Sequence, residues 1–188
     1  MVVMEPVDLP IPAWDAEGAL RPVGKLAVHR LGLRHPAISV FVLRGQEILI
    51  QQRAAGKYHT PGLWANTFCT HPHWGEAAAD CAARRLEEEL GISGLDLRHA
   101  GQVEYRAEVP GREPLIEHEL VEVFLAEAGA TLDLRLAPAE VAAVRWVSLS
   151  DLRAEIAARP QDFTPWLRIY LDQHAQLIFG HSALAQAV

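Results

Sequence analysis

The chain of 188 residues predicts a single α+β domain. Three observations carry that expectation. Strand-like runs rich in β-branched residues occupy 37–52 and return over 97–147. One strong helix, residues 76–90, stands between the two groups. Further helices collect at the end, after residue 150.

The elements follow in order. Residues 1–24 carry Pro6, Pro10, Pro12 and Pro22 with little periodicity, and predict an irregular arm with at most a short strand. The expected division is an arm over 1–21 and one domain over 22–188. Residues 37–43 (AISVFVL) predict a buried strand. Residues 47–52 (EILIQQ) alternate after the turn Arg44-Gly45-Gln46, so the two form a hairpin. Residues 54–64 are a loop broken by Gly56, Pro61 and Gly62. The helix over 76–90 stops at Gly91. Strands are expected over 97–109, 116–126 and 144–147, and a short helix over 151–159 before Pro160. Thr164-Pro165 opens the last helix, with proline at its first position, and that helix is expected to run past His174.

Charge and cysteine usage exclude several function classes. Seventeen basic against 24 acidic residues give a net charge of −7. That disfavours nucleic acid, whose phosphates need a basic face. A small anion held by a few local cations stays open. Cys69 and Cys81 are too few for a disulfide scaffold, so a reducing cytoplasm and two free thiols are expected. No apolar run reaches 18 residues, which predicts no membrane span, and the first residues do not read as a secretory leader.

Nine histidines stand out. His29 and His35 precede the first long strand, and His71 follows the loop. Imidazole suits divalent transition metals, although a single scattered histidine is ordinarily a surface or hydrogen-bonded residue. His59, His73, His99, His118, His174 and His181 are read in that ordinary way. Glu117 and Glu119 lie two apart on a strand and share a face that turns apolar at Val121 and Val123. Carboxylates there need solvent, a partner or a metal. With the three histidines they make five mixed donors, suited to Mg²⁺ or Mn²⁺ and also to Zn²⁺. On the central helix, Arg84–Glu88 and Arg85–Glu89 are i,i+4 pairs. Glu87, Glu88 and Glu89 cannot all share one face. In 64–72 (WANTFCTHP), Cys69 beside His71 is a candidate reactive thiol, whereas Cys81 on an alanine-rich helix face is packing.

Residues 70–92 resemble a Nudix box, G-x5-E-x7-R-E-U-x-E-E-x-G-U with U aliphatic. Glu76, Arg84, Leu86, Glu88, Glu89, Gly91 and Ile92 fall in register. Thr70 stands where glycine is usual, and Arg85 where the first glutamate is usual. These departures resemble the type I isopentenyl-diphosphate isomerases. So do Lys25 to His35, Gln52 to His59, Trp64 to Pro72, Tyr105-Arg-Ala, Glu117-His-Glu119 and Phe163 to Trp166. The likeness runs in order over about 22–175. His35-Pro-Ala-Ile and Thr60-Pro61 depart from the family's usual residues at those places.

The resemblance implies a Nudix-like mixed β-sheet sandwich with flanking helices. It implies interconversion of isopentenyl and dimethylallyl diphosphate through a tertiary carbocation. Cys69 and Glu119 match the two proton-transfer groups, Tyr105 the tyrosine at the acid side, and Trp166 the ring facing the cation. Trp64, Phe68 and Trp166 are candidate walls of a water-excluding pocket. Lys25, Arg53, Lys57 and Arg85 match the diphosphate grip. A first metal, Mn²⁺, Mg²⁺ or Zn²⁺, is expected on His29, His35, His71, Glu117 and Glu119. A second, Mg²⁺, would bridge Glu89 and the diphosphate with the Cys69 backbone carbonyl. The expected partner is a small-molecule diphosphate, with no nucleic acid or membrane, and the chain a monomer or small homo-oligomer. The rival readings are a Nudix hydrolase of a nucleoside diphosphate derivative, favoured by Glu88 and Glu89, and a non-catalytic metal or diphosphate binder.

Overall fold

The computed structural model describes residues 9–110 and 113–185, with side chains to residue 180. A small antiparallel hairpin, β1 (Pro10–Trp14) and β2 (Leu20–Gly24), leads into α1 (Lys25–Leu31). Then follow β3 (Arg34–Arg44), β4 (Glu47–Arg53), β5 (Trp64–Ala65), β6 (Phe68–Thr70) and α2 (Ala78–Leu90). After these come β7 (Arg98–Val109), β8 (Leu115–Glu127), β9 (Val141–Ser148) and α3 (Leu149–Ala158). A 3-10 turn, Pro160–Asp162, precedes α4 (Pro165–Gln173) and α5 (Ala175–Ala185).

The main sheet runs β5-β4-β3-β8-β7, with β6 pairing β3 and β9 pairing β4. The β3–β8 pair is parallel, and the other pairs in it are antiparallel. The centre of β3 is buried on both faces, which explains its unbroken apolar run. Ala37 and Phe41 enter one core, beneath α3, α4 and α5. Ile38, Val40 and Val42 enter the other, beneath α2. The second core takes Cys81, Ala82, Leu86 and Leu90 from one side of α2, so Cys81 is packing as expected. Gly91 ends α2 at φ 70°, and a Cβ there would stand 2.6 Å from Arg135 Cβ, which is why glycine is required.

The structure departs from the sequence expectations, or adds to them, in four places. Residues 10–24 form the β1–β2 hairpin rather than an irregular arm, and residue 21 falls inside β2. The Arg34 guanidinium stacks on Trp14 at 4.3 Å and ties the hairpin to β3. Residues 1–8 of the expected arm, and the side chain of His181, lie outside the described residues. Residues 25–31 are helical, and His35 lies inside β3 rather than before it. Segment 64–70 contains two short strands. The last helix does not run through His174. It ends there, where φ reaches −127°, and α5 starts afresh.

Candidate active site

Four elements, α1, β3, β6 and β8, bring the histidines and carboxylates together. His29 lies on α1, and its Nδ1 donates to Lys25 O at 2.7 Å. That bond fixes the tautomer and leaves Nε2 as a buried lone pair without a hydrogen-bond partner. Gly32 closes α1 in the left-handed region (φ 61°), with Ile116 3.1 Å from where a Cβ would be, and lets β3 begin at once. His35 Nδ1 donates to Leu33 O at 2.7 Å, so its Nε2 also faces inward as an acceptor. His71 follows β6. Its Nε2 is 3.0 Å from Glu119 Oε1 and 3.1 Å from His35 Nε2. The parallel register sets His35 beside Glu119, and the antiparallel register sets Tyr105 beside it on the other side.

Glu117 and Glu119 are both buried on one face of β8, as the alternation predicts. The Tyr105 hydroxyl is 2.8 Å from Glu119 Oε2 and 3.0 Å from Glu117 Oε2, so one proton serves two carboxylates. Burial opposes charge on both. For Glu119 the adjoining imidazoles of His35 and His71 prevail and hold its carboxyl well below the usual range. Glu117 is pushed well above it by burial and by the Glu119 charge. Donor atoms of His29, His35, His71 and Glu119 lie within 4.8 Å of one another, as do those of His29, His59 and Glu117. These are nitrogen and oxygen donors around an orphaned buried lone pair, and they fit a divalent ion.

Cys69 approaches from β6, which flanks β3 on the side opposite β8, the strand of Glu119. Its thiol donates to Asn66 Oδ1 at 3.1 Å, and its sulfur lies 2.8 Å from Ser39 Oγ. Asn66 Nδ2 donates to Val40 O and Phe68 O, which fixes the amide with its oxygen toward the thiol. Ser39 Oγ is in turn 2.8 Å from the Tyr170 hydroxyl. Burial, reinforced by the charges of Glu119 and Glu117, drives the Cys69 thiol far above its ordinary range against the pull of Ser39 and Asn66. It is therefore held as a neutral acid rather than as a thiolate nucleophile.

Of the predicted site residues, all but His29 and His35 line one cavity of about 30 Å³. Those two stand behind it against His71. Lys25, Arg53, Lys57 and Arg85 gather on its rim, so the four predicted cations do converge. Burial, then the charges of Lys57, Arg53 and Arg85, lower Lys25 to about 8. Two of the cations are already partnered. Lys57 binds Glu140, and Arg85 binds Glu89 and reaches Glu140 at 3.5 Å. Glu89 is buried and also takes a bond from Gln51 Nε2 at 3.3 Å. Glu88 points outward to Arg84 and Arg85, so only one glutamate of the central helix faces the cavity.

Trp166 forms a buried wall, with the Arg53 guanidinium 5.4 Å from its ring centre. It is aimed there because Thr164 N–H donates to Trp64 O at 2.9 Å and Pro165 starts the helix. Two expected walls are corrected. Phe68 belongs to the core beneath α2, on the other face of the sheet. Trp64 stacks with the Arg145 guanidinium and does not line the cavity. A larger cleft of about 1440 Å³ adjoins the rim at Lys57 and Tyr58 but holds none of the histidines or proton-transfer candidates.

Sequence reasoning missed Ser39, Asn66, Tyr170, His59 and Glu140. Ser39 had a signal, a lone hydroxyl in an apolar strand. Tyr170 lies one helical turn from Trp166 and so shares its face. His59 stands two residues beyond Lys57 and was given the ordinary reading, yet it is buried against His29. Glu140 had no local signal.

Residues 33–167 match the NUDIX domain family. The chain is 62% identical over 169 residues to an isopentenyl-diphosphate Delta-isomerase of Rhodobacter capsulatus, covering 90% of this chain and 94% of that protein. It is 61% identical over 170 residues to the protein of the same name from Dinoroseobacter shibae, covering 90% and 95%. Among solved structures, the fold resembles DR0079 of Deinococcus radiodurans, with a TM-score of 0.62 at 15% identity over 79% of this chain and 88% of that one. It also resembles a MutT NUDIX hydrolase of Burkholderia pseudomallei, with a TM-score of 0.57 at 25% identity over 75% and 98%.

Proposed function

This chain belongs to the NUDIX domain family and, within it, to the isopentenyl-diphosphate isomerases, and on that premise we propose that Cys69 and Glu119 are its proton-transfer pair. The enzyme interconverts isopentenyl and dimethylallyl diphosphate. One observation carries the assignment. A neutral thiol and an ionised carboxylate, reaching in from strands on either side of β3, line a single narrow cavity with a cationic rim.

The reaction adds a proton to the terminal methylene carbon and removes one from the carbon two bonds away. An unactivated alkene accepts a proton only from an acid held close and dry. One of the pair gives its proton and the other takes one, so each turnover leaves them in exchanged states. The Tyr105 hydroxyl holds Glu119 in place, and Asn66 with Ser39 holds the thiol. The face of Trp166 offers its negative quadrupole to the tertiary cation. The tight cavity keeps out the water that would trap that cation as an alcohol.

Lys25, Arg53, Lys57 and Arg85 are the diphosphate grip, and substrate oxygens would compete with Glu140 for Lys57 and Arg85. His29, His35, His71, Glu117 and Glu119 would hold a first divalent ion, Mn²⁺, Mg²⁺ or Zn²⁺. Glu89 and the Cys69 carbonyl would hold a second, Mg²⁺. When bound, such ions neutralise the buried carboxylates and attract phosphate oxygens. The same reading includes a free small-molecule diphosphate as the partner and residence in the cytoplasm. No described helix is long and apolar enough to cross a membrane.

The hydrolase alternative needs several glutamates facing one site. Here Arg85 occupies one such position, and Glu88 faces solvent. The deciding experiment is NMR in D₂O with isopentenyl diphosphate and Mg²⁺. Wild type is expected to form deuterated dimethylallyl diphosphate, and Cys69→Ala is not. Intact isopentenyl diphosphate, with phosphate released from a nucleoside diphosphate panel, would establish the hydrolase instead.

A further inference from the structure

One imidazole in the cavity wall has no role in the assignments above. His59 is 5% exposed and comes from the loop between β4 and β5. The next residue, Thr60, holds a left-handed φ of 47°, unusual for a β-branched residue, and its N–H donates to Pro110 O at 2.8 Å. That turn aims His59 inward. Its ring stacks on His29, with centres 5.7 Å apart at 26°. Its Nδ1 lies 3.1 Å from Thr60 Oγ1, a hydroxyl able to accept an Nδ1 proton, and in that tautomer Nε2 carries the lone pair.

That Nε2 stands 3.8 Å from Glu117 Oε1. The distance is too long for a hydrogen bond. It falls within the span of two donors on one ion: ligands about 2.1 Å from a shared centre lie about 3.0 Å apart when adjacent and about 4.2 Å when opposite. Beside them is the His29 Nε2 lone pair, buried and without a hydrogen-bond partner. The donors of His29, His59 and Glu117 all lie within 4.8 Å of one another.

The geometry points to His59 as a further protein ligand of the histidine–glutamate metal site, joining it from the loop side. This inference rests on the reading of that cluster as a metal site. His29 belongs to both donor groups, so an ion that engages Glu117 comes within reach of His59. The two groups together offer six protein donors, the number an octahedral Mn²⁺ or Mg²⁺ shell takes. A closed shell leaves this ion no open position for the diphosphate. Its work would be electrostatic, on Glu117 and Glu119, and phosphate binding would fall to the cationic rim and the Glu89 side.

The test uses the full chain, stripped of metal and loaded with one equivalent of Co²⁺. Proton NMR then counts the hyperfine-shifted, solvent-exchangeable imidazole N–H signals. Four are expected in wild type and three in His59→Ala. Chelator competition should show Co²⁺ affinity falling about tenfold or more in the variant. Its visible absorption should strengthen as the coordination number drops. Three signals in wild type, or unchanged affinity and spectrum in the variant, would overturn the role of His59 and leave the metal site standing. Wild type that takes up no Co²⁺ would overturn the metal site itself. If His59→Ala does not fold, the wild-type count alone decides.

Discussion

The hydroxyl of Ser39 lies 2.8 Å from the sulfur of Cys69. The thiol proton is directed to Asn66, so Ser39 is placed to donate to the sulfur while it accepts from Tyr170. A side chain held from two sides keeps its geometry through the change of protonation state that each turnover requires. Replacing Ser39 by Ala should lower kcat by about tenfold or more while KM stays near wild type, since the serine does not line the cavity. Tyr170→Phe should have a smaller effect in the same direction. Steady-state kinetics on the two variants check this, and a rise in KM with kcat unchanged would place Ser39 in substrate binding instead.

Glu119 is buried, ionised and hydrogen-bonded by His71 and Tyr105. Glu119→Gln keeps the shape but cannot carry the proton. Turnover should fall by about 10²–10⁴-fold, the usual worth of a positioned acid or base. Metal per chain should fall as well, as it should in His71→Ala. Deuterium exchange followed by NMR, together with elemental analysis, reads both effects. Normal turnover with full metal content would remove Glu119 from both roles.

How far the sequence foretold this site depends on the range of the forces involved. Glu117 and Glu119 were legible because strand alternation is local. Gly91 was legible because helix termination is local. The helix that carries His29 was not: KLAVHRL is short, and Val28 packs against Ile11 and Ala13, residues of a hairpin the sequence hides. That hairpin is hidden by its prolines, which an isolated two-stranded ribbon tolerates because much of its backbone has no further strand to pair. Glu140 was invisible for a different reason. Only the pairing of β9 with β4, which sets Val141 beside Arg53, brings it to Lys57 and Arg85.

Lys25 supplies a pH dependence whose sign can be worked out. Burial and the neighbouring cations lower its ammonium from about 10.5 to about 8. Below 8 the amine is charged and attracts the diphosphate, so kcat/KM should fall as pH rises through about 8. Stability moves the other way. Between about 8 and 10.5 the unfolded chain holds a proton that the folded one has lost, so the empty protein gains stability as pH rises across that window. Lys25→Arg should keep the charge and flatten the kinetic fall, and Lys25→Met should flatten the rise in urea midpoint. A fall in kcat/KM of unchanged steepness in Lys25→Arg would assign the titration to another group.

Divalent ions should also stabilise the fold, because the donors are assembled in the folded chain and scattered in the unfolded one. Stripping with a chelator should remove activity and lower Tm. Adding Mn²⁺ or Mg²⁺ should restore both. An unchanged Tm on stripping would mean that the histidines and carboxylates satisfy one another without an ion.

Phe68 separates core from pocket. Its neighbour Cys69 faces the cavity, so strand alternation turns Phe68 to the other face, where it is fully buried with Val40, Leu86 and Phe124. Truncating a buried phenylalanine removes apolar contact and leaves a void, at a cost of about 3–5 kcal/mol. That is a large share of the roughly 5–15 kcal/mol by which a domain is stable. Phe68→Ala should therefore shift the urea midpoint strongly, while Phe68→Leu, which keeps most of the volume, should shift it modestly. KM for isopentenyl diphosphate should stay near wild type in Phe68→Leu, because the cavity wall is made by Trp166 and not by this ring. A variant with wild-type stability and a raised KM would return Phe68 to the pocket and contradict the side of the sheet on which it packs.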